Sequence, residues 1–285
     1  MPDYPIIDSH VHLVDPARVD YSWTRSEPGL RPKASPADLS AAARPFEIES
    51  FVFVEVNADD GQHIDEAIAI SEVAVVDSRL GAMVACLPLE RGPSVAADLE
   101  RLMALKPLRG IRRLIQTQPD SDFCIRPDFI AGLKLLRDYD LSFDICLFHH
   151  HLPNAIEMVA QCPDVRFVLD HIGKPPIKAG GIEPWRTDIG RLAAMPNVLC
   201  KISGVVTEAD HKSWTLNEIR PYVEHALDVF GFDRVMFGSD WHVLELAGTY
   251  SHWVNVVDEI TRDCSVDERR KLFRDNAKAF YRILD

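Results

Sequence analysis

The stretch Ile6-Ile7-Asp8-Ser9-His10-Val11-His12 sets how the rest of the chain is read. Two β-branched residues open it, so it reads as the end of a buried strand. Side chains alternate along a strand with period two, so His10 and His12 are expected to point the same way. Paired imidazoles on rigid backbone can share a metal ion or grip an anionic substrate. Taken alone, a His-x-His near an N-terminus is also an ordinary surface feature. The pattern that follows it gives it meaning.

Working outward, strand-like and helix-like runs alternate. Strands are expected at Ser50–Val56, Ala82–Pro88, Leu108–Ile115, Ser142–Phe148, Arg166–His171, Asn197–Gly204 and Arg234–Asp240. Helical patterns are expected near 61–76, 94–104, 128–138, from Pro153, 185–194 and 216–230, and two more close the chain. The spacing suits βαβ crossovers, which force parallel pairing, and near-continuous apolar strands suit a sheet covered on both faces. Eight such units in about 250 residues predict an α/β protein with a single (β/α)8 TIM barrel spanning residues 1–285. A doubly wound sheet would show a Gly-rich phosphate turn after an early strand, and none is present. One stretch breaks the alternation. From Val14 to Phe46 the chain carries Pro16, Pro28, Pro32, Pro36 and Pro45 with Tyr21 and Trp23, and reads as a long irregular lid or binding loop.

Composition narrows the role. With 47% hydrophobic residues in 285, a sizeable core can be buried. No apolar run of about 18 residues suggests a membrane span, and no basic-then-apolar leader opens the chain. A formal net charge of −13 disfavours nucleic acid as a partner. The six cysteines form no Cys-x-x-Cys pair and three sit in apolar runs, as buried thiols in a reducing compartment do, so a cytoplasmic location is expected. Oligomeric state is not written in the sequence.

Catalytic groups of such a barrel sit at the C-terminal ends of its strands. Those ends supply His10 and His12, then Glu55 and Asn57, then Arg112, then His149-His150-His151, then Asp170 and His171, then Lys201 and Ser203, and finally Asp240. Each has a plainer reading. His171 could be a satisfied core histidine, and Asp240 a helix cap or turn residue. Lys201 could pair with a neighbouring carboxylate. Of Arg112 and Arg113, one faces the interior and the other the helix layer, and at most two of the three fifth-strand histidines face inward. The convergence of histidine and carboxylate on one ring is more specific than any member.

These residues carry a resemblance. Ile-Asp-Ser-His-Val-His, Gly-Ile-Arg-Arg (110–113), Leu-Asp-His-Ile-Gly-Lys-Pro (169–175), Cys-Lys-Ile-Ser-Gly (200–204) and Phe-Gly-Ser-Asp-Trp (237–241) resemble the amidohydrolase superfamily. More narrowly they are similar to its branch of sugar-lactone and pyrone-dicarboxylate lactonases, including fuconolactonase and rhamnonolactonase. The resemblance implies a barrel that opens a small-molecule lactone. Asp240 would be the general base, and His10, His12 and His171 would surround the scissile carbonyl or hold an ion beside it. Arg112, Lys201 and Ser203 would meet ring substituents, with Trp23, His149 and Trp241 as further substrate contacts.

Two versions are coherent. A zinc or manganese ion on His10, His12 and Asp240, completed by His149 or His171 and water, would acidify that water and polarise the carbonyl. Without metal, Asp240 would deprotonate water directly while the histidines stabilise the oxyanion. The alternative activity is a metal-dependent decarboxylase of an aromatic or enol acid on the same fold, which would require a complete ligand set including a fifth-strand histidine. A catalytically idle binding barrel is the third reading, and the intact histidine and aspartate set argues against it.

Overall fold

A computed structural model describes residues 4–284. Eight parallel strands follow one another around a single sheet: β1 (Ile6–Val11), β2 (Ile48–Val54), β3 (Leu80–Cys86), β4 (Leu108–Arg112), β5 (Ser142–Ile145), β6 (Arg166–Leu169), β7 (Val198–Ile202) and β8 (Val235–Phe237). The helices that follow them in turn are α1 (Pro36–Ala43), α2 (His63–Val76), α3 (Ala96–Met103), α4 (Pro127–Leu135), α5 (Leu152–Ala160), α6 (Trp185–Ala193), α7 (Leu216–Phe230) and α8 (Tyr250–Ile260). Two short turns of helix, α9 (Val266–Arg270) and α10 (Asn276–Phe280), complete the chain. The expected barrel is therefore present, with strands that stop a few residues earlier than the apolar runs suggest. Among the described residues no helix is long and apolar enough to cross a membrane.

The alternation of strand side chains separates two cores. Phe51, Phe53, Phe143, Phe167 and Phe237 face outward into the helix layer. Ile7, Val52, Val54, Ala82, Val84, Val168 and Met236 fill the barrel interior, where Ala277, Phe280, Tyr281 and Ile283 of the chain end pack against them. The C-terminal helix α10 thus plugs one mouth and leaves the other, at the strand tips, for chemistry.

Closure of the ring falls on the site itself. The amide of Asp240 donates to the His10 carbonyl at 2.9 Å, and that of His12 to the Trp241 carbonyl at 2.6 Å. Ser9 Oγ donates to the Phe237 carbonyl at 2.7 Å, and the Ser239 amide to Asp8 Oδ1 at 2.9 Å. β1 and β8 are joined through these contacts, so the first and last motifs of the sequence become neighbours.

The Pro-rich stretch is less irregular than its composition suggests. Ser22–Ser26 forms a 3-10 turn, and α1 begins with a capping box in which Ser35 and Asp38 satisfy one another's backbone amides. Pro36 at the first helical position is compatible with that start, because its missing N–H would be unpaired there anyway.

Candidate active site

β1 does not run in simple register. Asp8 pairs with Phe51 and Val11 with Phe53, so three steps of β1 span two of β2. This bulge resets the two-residue period between Ile7, which faces the interior, and His10 and His12, which then turn inward at the strand tip, with His12 on the cavity wall.

The lower layer of the site is a buried charge network. Lys201 Nζ lies 2.6 Å from Asp144 Oδ2 and 3.0 Å from Asp170 Oδ1. It also reaches His10 Nδ1 at 3.3 Å. Tyr281 donates its hydroxyl to Asp144 Oδ2 at 2.8 Å, linking the plug to this layer. Arg112 donates through Nε to Glu55 Oε1 at 2.7 Å, through Nη1 to Asp170 Oδ2 at 3.2 Å, and through Nη2 to the Glu55 carbonyl. Burial would draw the Lys201 ammonium down, but Asp144 and Asp170 outweigh it and hold it above its usual value. Burial likewise opposes ionisation of Asp170, yet Lys201 and His10 keep its carboxyl well below the usual range.

Above this layer His10, His12, His171 and Asp240 converge. The Nε2 atoms of His10, in β1, and His12, just past its end, are 3.2 Å apart. Asp240 Oδ1 lies 3.2 Å from His12 Nε2, 3.7 Å from His10 Nε2 and 3.9 Å from His171 Nε2. His12 Nδ1 is 2.8 Å from the Val54 carbonyl, which can only accept, so that nitrogen carries a hydrogen. His171 Nδ1 is fixed against Ser203 Oγ at 2.9 Å. Burial opposes the charged form of Asp240, but the His171, His12 and His10 rings around it prevail and hold the carboxyl well below the usual range. Burial lowers His10 well below the ordinary imidazole value and takes His171 down to about 4 despite Asp240 and Asp170. The result is a carboxylate beside the neutral imidazoles of His10 and His171.

This donor set suits a divalent ion. His10, His12 and Asp240 form one buried group able to hold a metal, and His10, Asp170 and His171 form another. Tetrahedral zinc with bonds of about 2.0–2.1 Å places its ligand atoms roughly 3.3 Å apart, close to the spacing of the first group. An acceptor carboxylate behind a ligating histidine is the usual support, and Asp170 Oδ1 stands 3.3 Å from His10 Nδ1. Arg112 Nη1 is also 3.3 Å from His10 Nε2, so the same lone pair can instead be met by a guanidinium hydrogen.

The cavity over this cluster has a volume of ≈ 220 Å³, and its walls include His12, His171, Asp240, Arg112 and Trp23. Trp23 arrives from the Pro-rich stretch and is held by a 2.8 Å bond from Nε1 to the Val56 carbonyl. Several expected contacts stand elsewhere. Lys201 is sealed in the charge layer and Ser203 supports His171 from behind. Trp241 is buried, with Nε1 bonded to Glu245 Oε1 at 2.9 Å. Arg112 borders the cavity, but its guanidinium is occupied by Glu55 and Asp170. The fifth-strand tip turns away as a 3-10 segment, His149–His151, and His149 Nδ1 donates to the Lys174 carbonyl at 3.2 Å. His149 joins neither metal-capable group, so the expected fifth-strand ligand is absent from them. Asn57, Gln116, Thr117, Cys146 and Lys174 also line the walls. Of these, Lys174 lay within the quoted motif 169–175, three residues after His171, and sequence reading passed over it.

Comparison with known proteins agrees with this geometry. The chain is 32% identical to an L-fucono-1,5-lactonase of Burkholderia ambifaria, over 97% of this chain and 95% of that protein. A Burkholderia multivorans amidohydrolase solved with bound zinc superposes with a TM-score of 0.87 at 30% identity, covering 99% of this chain and 100% of that one. A 2,6-dihydroxybenzoate decarboxylase from Rhizobium shares the fold alone, with a TM-score of 0.65 at 13% identity over 98% of each chain. The family profile described as amidohydrolase matches residues 7–283. With its eight-stranded barrel and its histidines and aspartate gathered at one mouth, the chain belongs to the amidohydrolase family.

Proposed function

We propose that the protein opens the ring of a lactone by water attack, with Asp240 as general base. The observation that carries this reading is the Asp240 carboxylate, kept ionised and ringed by His10, His12 and His171 at the floor of a small cavity. Asp240 Oδ1 is positioned to take a proton from water. His171, anchored through Nδ1 to Ser203, presents Nε2 toward the same point and can orient or polarise the ester carbonyl. A divalent ion held by His10, His12 and Asp240 would acidify the water and draw charge from the carbonyl. Asp170 Oδ1 faces His10 Nδ1 from beneath, and Lys201 in turn pairs with Asp170. A lactone is reactive enough for either arrangement.

Substrate charge follows from the walls. The guanidinium of Arg112 is already neutralised by Glu55 and Asp170, and the Lys174 ammonium on the wall stands beside Glu208, which leaves too little positive charge for a dicarboxylate. Asn57, Gln116, Thr117 and the Trp23 ring favour an uncharged, hydroxylated ring such as an aldonolactone. The relatives' lactonase names support this class. The decarboxylase alternative called for a fifth-strand histidine among the ligands, and His149 is not there.

A pH-indicator assay over a panel of aldonolactones and a pyrone dicarboxylate tests the reading, run as purified and after chelator dialysis with zinc restored. Acid release from an aldonolactone is expected. Silence across the panel, with and without zinc, would overturn it.

A further inference from the structure

We propose that Lys174 and Glu208 together read one ring hydroxyl of the lactone and so act as specificity-determining residues. This rests on the lactone reading above. Neither residue takes part in the His10, His12, His171 and Asp240 cluster.

The backbone is shaped to aim Lys174. His171, Ile172, Gly173 and Lys174 have φ of 55°, 48°, 71° and 47°, four successive residues in a left-handed conformation that L residues disfavour. Three hydrogen bonds hold this turn: the Lys174 amide to the His171 carbonyl at 2.9 Å, Trp185 Nε1 to the Ile172 carbonyl at 2.7 Å, and His149 Nδ1 to the Lys174 carbonyl at 3.2 Å. All three act on the backbone of the turn and leave the ammonium free of them. One left-handed turn brings His171 and Lys174 to the same cavity wall. Strained backbone held this firmly marks a functional constraint.

The ammonium meets an incomplete partner. Lys174 Nζ lies 3.9 Å from Glu208 Oε1, with both side chains largely shielded at 14% and 19% exposure. A direct charge-assisted hydrogen bond would be about 2.7–2.9 Å. The observed gap admits one oxygen within about 2.8 Å of both atoms. A hydroxyl can accept from an ammonium and donate to a carboxylate at once. A substrate carboxylate there would face Glu208, and an unsubstituted ring would leave the pair unbridged. Glu208 stands behind Lys174, which itself lines the cavity wall, and lies within electrostatic reach of Asp240.

The test compares an aldono-1,5-lactone with δ-valerolactone, which has the same ring without hydroxyls, in wild type, Lys174→Met and Glu208→Gln. The readout is the ratio of kcat/KM for the two lactones. Each variant should shrink the ratio on the order of 10–100-fold, mainly through KM for the hydroxylated ring. A ratio within about twofold of wild type in both variants would overturn the inference while leaving the lactone reading intact. Wild type inactive on both lactones would overturn the lactone reading and the inference with it. Should Lys174→Met fail to fold in a thermal melt, the near-isosteric Glu208→Gln carries the same comparison.

Discussion

His12 Nε2 and Asp240 Oδ1 stand 3.2 Å apart, while the hydrogen on His12 Nδ1 is committed to the Val54 carbonyl. In neutral His12 these two atoms are both acceptors, and so is the carboxylate's other oxygen. Positive charge between them, as a divalent ion or a second proton on the ring, makes the arrangement stable. The rest of the site follows from that need.

The protein should therefore bind about one equivalent of zinc by isothermal titration calorimetry, and binding should weaken as pH falls because protons compete for the imidazoles. His12→Ala should lose most of that affinity. Zinc binding unaltered by His12→Ala would remove the residue from the ligand set.

How much of this was legible in sequence differs residue by residue. The alternation of apolar runs and helices carried the barrel, because parallel pairing and crossovers leave a strong periodic trace. His10, His12, His171 and Asp240 were legible as strand-tip residues. The bulge in β1 that turns the first two inward is a register property, and no single residue type announces it. Lys201 and Ser203 occupy strand-end positions too, yet a step of depth separates wall from foundation, and depth is set by tertiary packing. The left-handed turn at 171–174 hid Lys174, since left-handed backbone at non-glycine residues cannot be read from propensity. Helix α1 was missed although Ser35-Pro36-Ala37-Asp38 carries the capping-box signature, because the prolines around it dominated the reading.

Lys201→Met should act on stability rather than on substrate affinity. It would strand the Asp144 and Asp170 carboxylates in a buried layer, at a cost of about 3–5 kcal/mol. Urea unfolding measures this directly. A stable variant with only a raised KM would restore Lys201 as a substrate contact.

Gly204 should tolerate no side chain. Its φ is 55°, and a Cβ would lie 2.3 Å from His171 Nδ1. Gly204→Ala should displace His171 from Ser203 and lower kcat roughly 10–100-fold, a loss of the size expected for displacing a group by about 1 Å. Steady-state kinetics at saturating lactone provide the check, with normal kcat as the opposing result.

The acid limb of kcat/KM should fall near pH 4, where His171 titrates, well below the ordinary imidazole range. The sign for stability is the same. Burial depresses the His171 pKa from 6.5 to about 4, so its contribution is present above pH 6.5 and is lost as pH falls through about 4. A pH–rate profile separates this from an unperturbed histidine, which would put the limb between pH 6 and 7.

The most direct test of the account is acid release from an aldono-1,5-lactone by wild type and Asp240→Asn side by side, at matched zinc and with folding verified by circular dichroism. Stoichiometric acid release by wild type and a loss of about 10³-fold or more in the variant are predicted, since the amide cannot take the proton from water. Equal rates for the two proteins, or no release by wild type with zinc supplied, would contradict it.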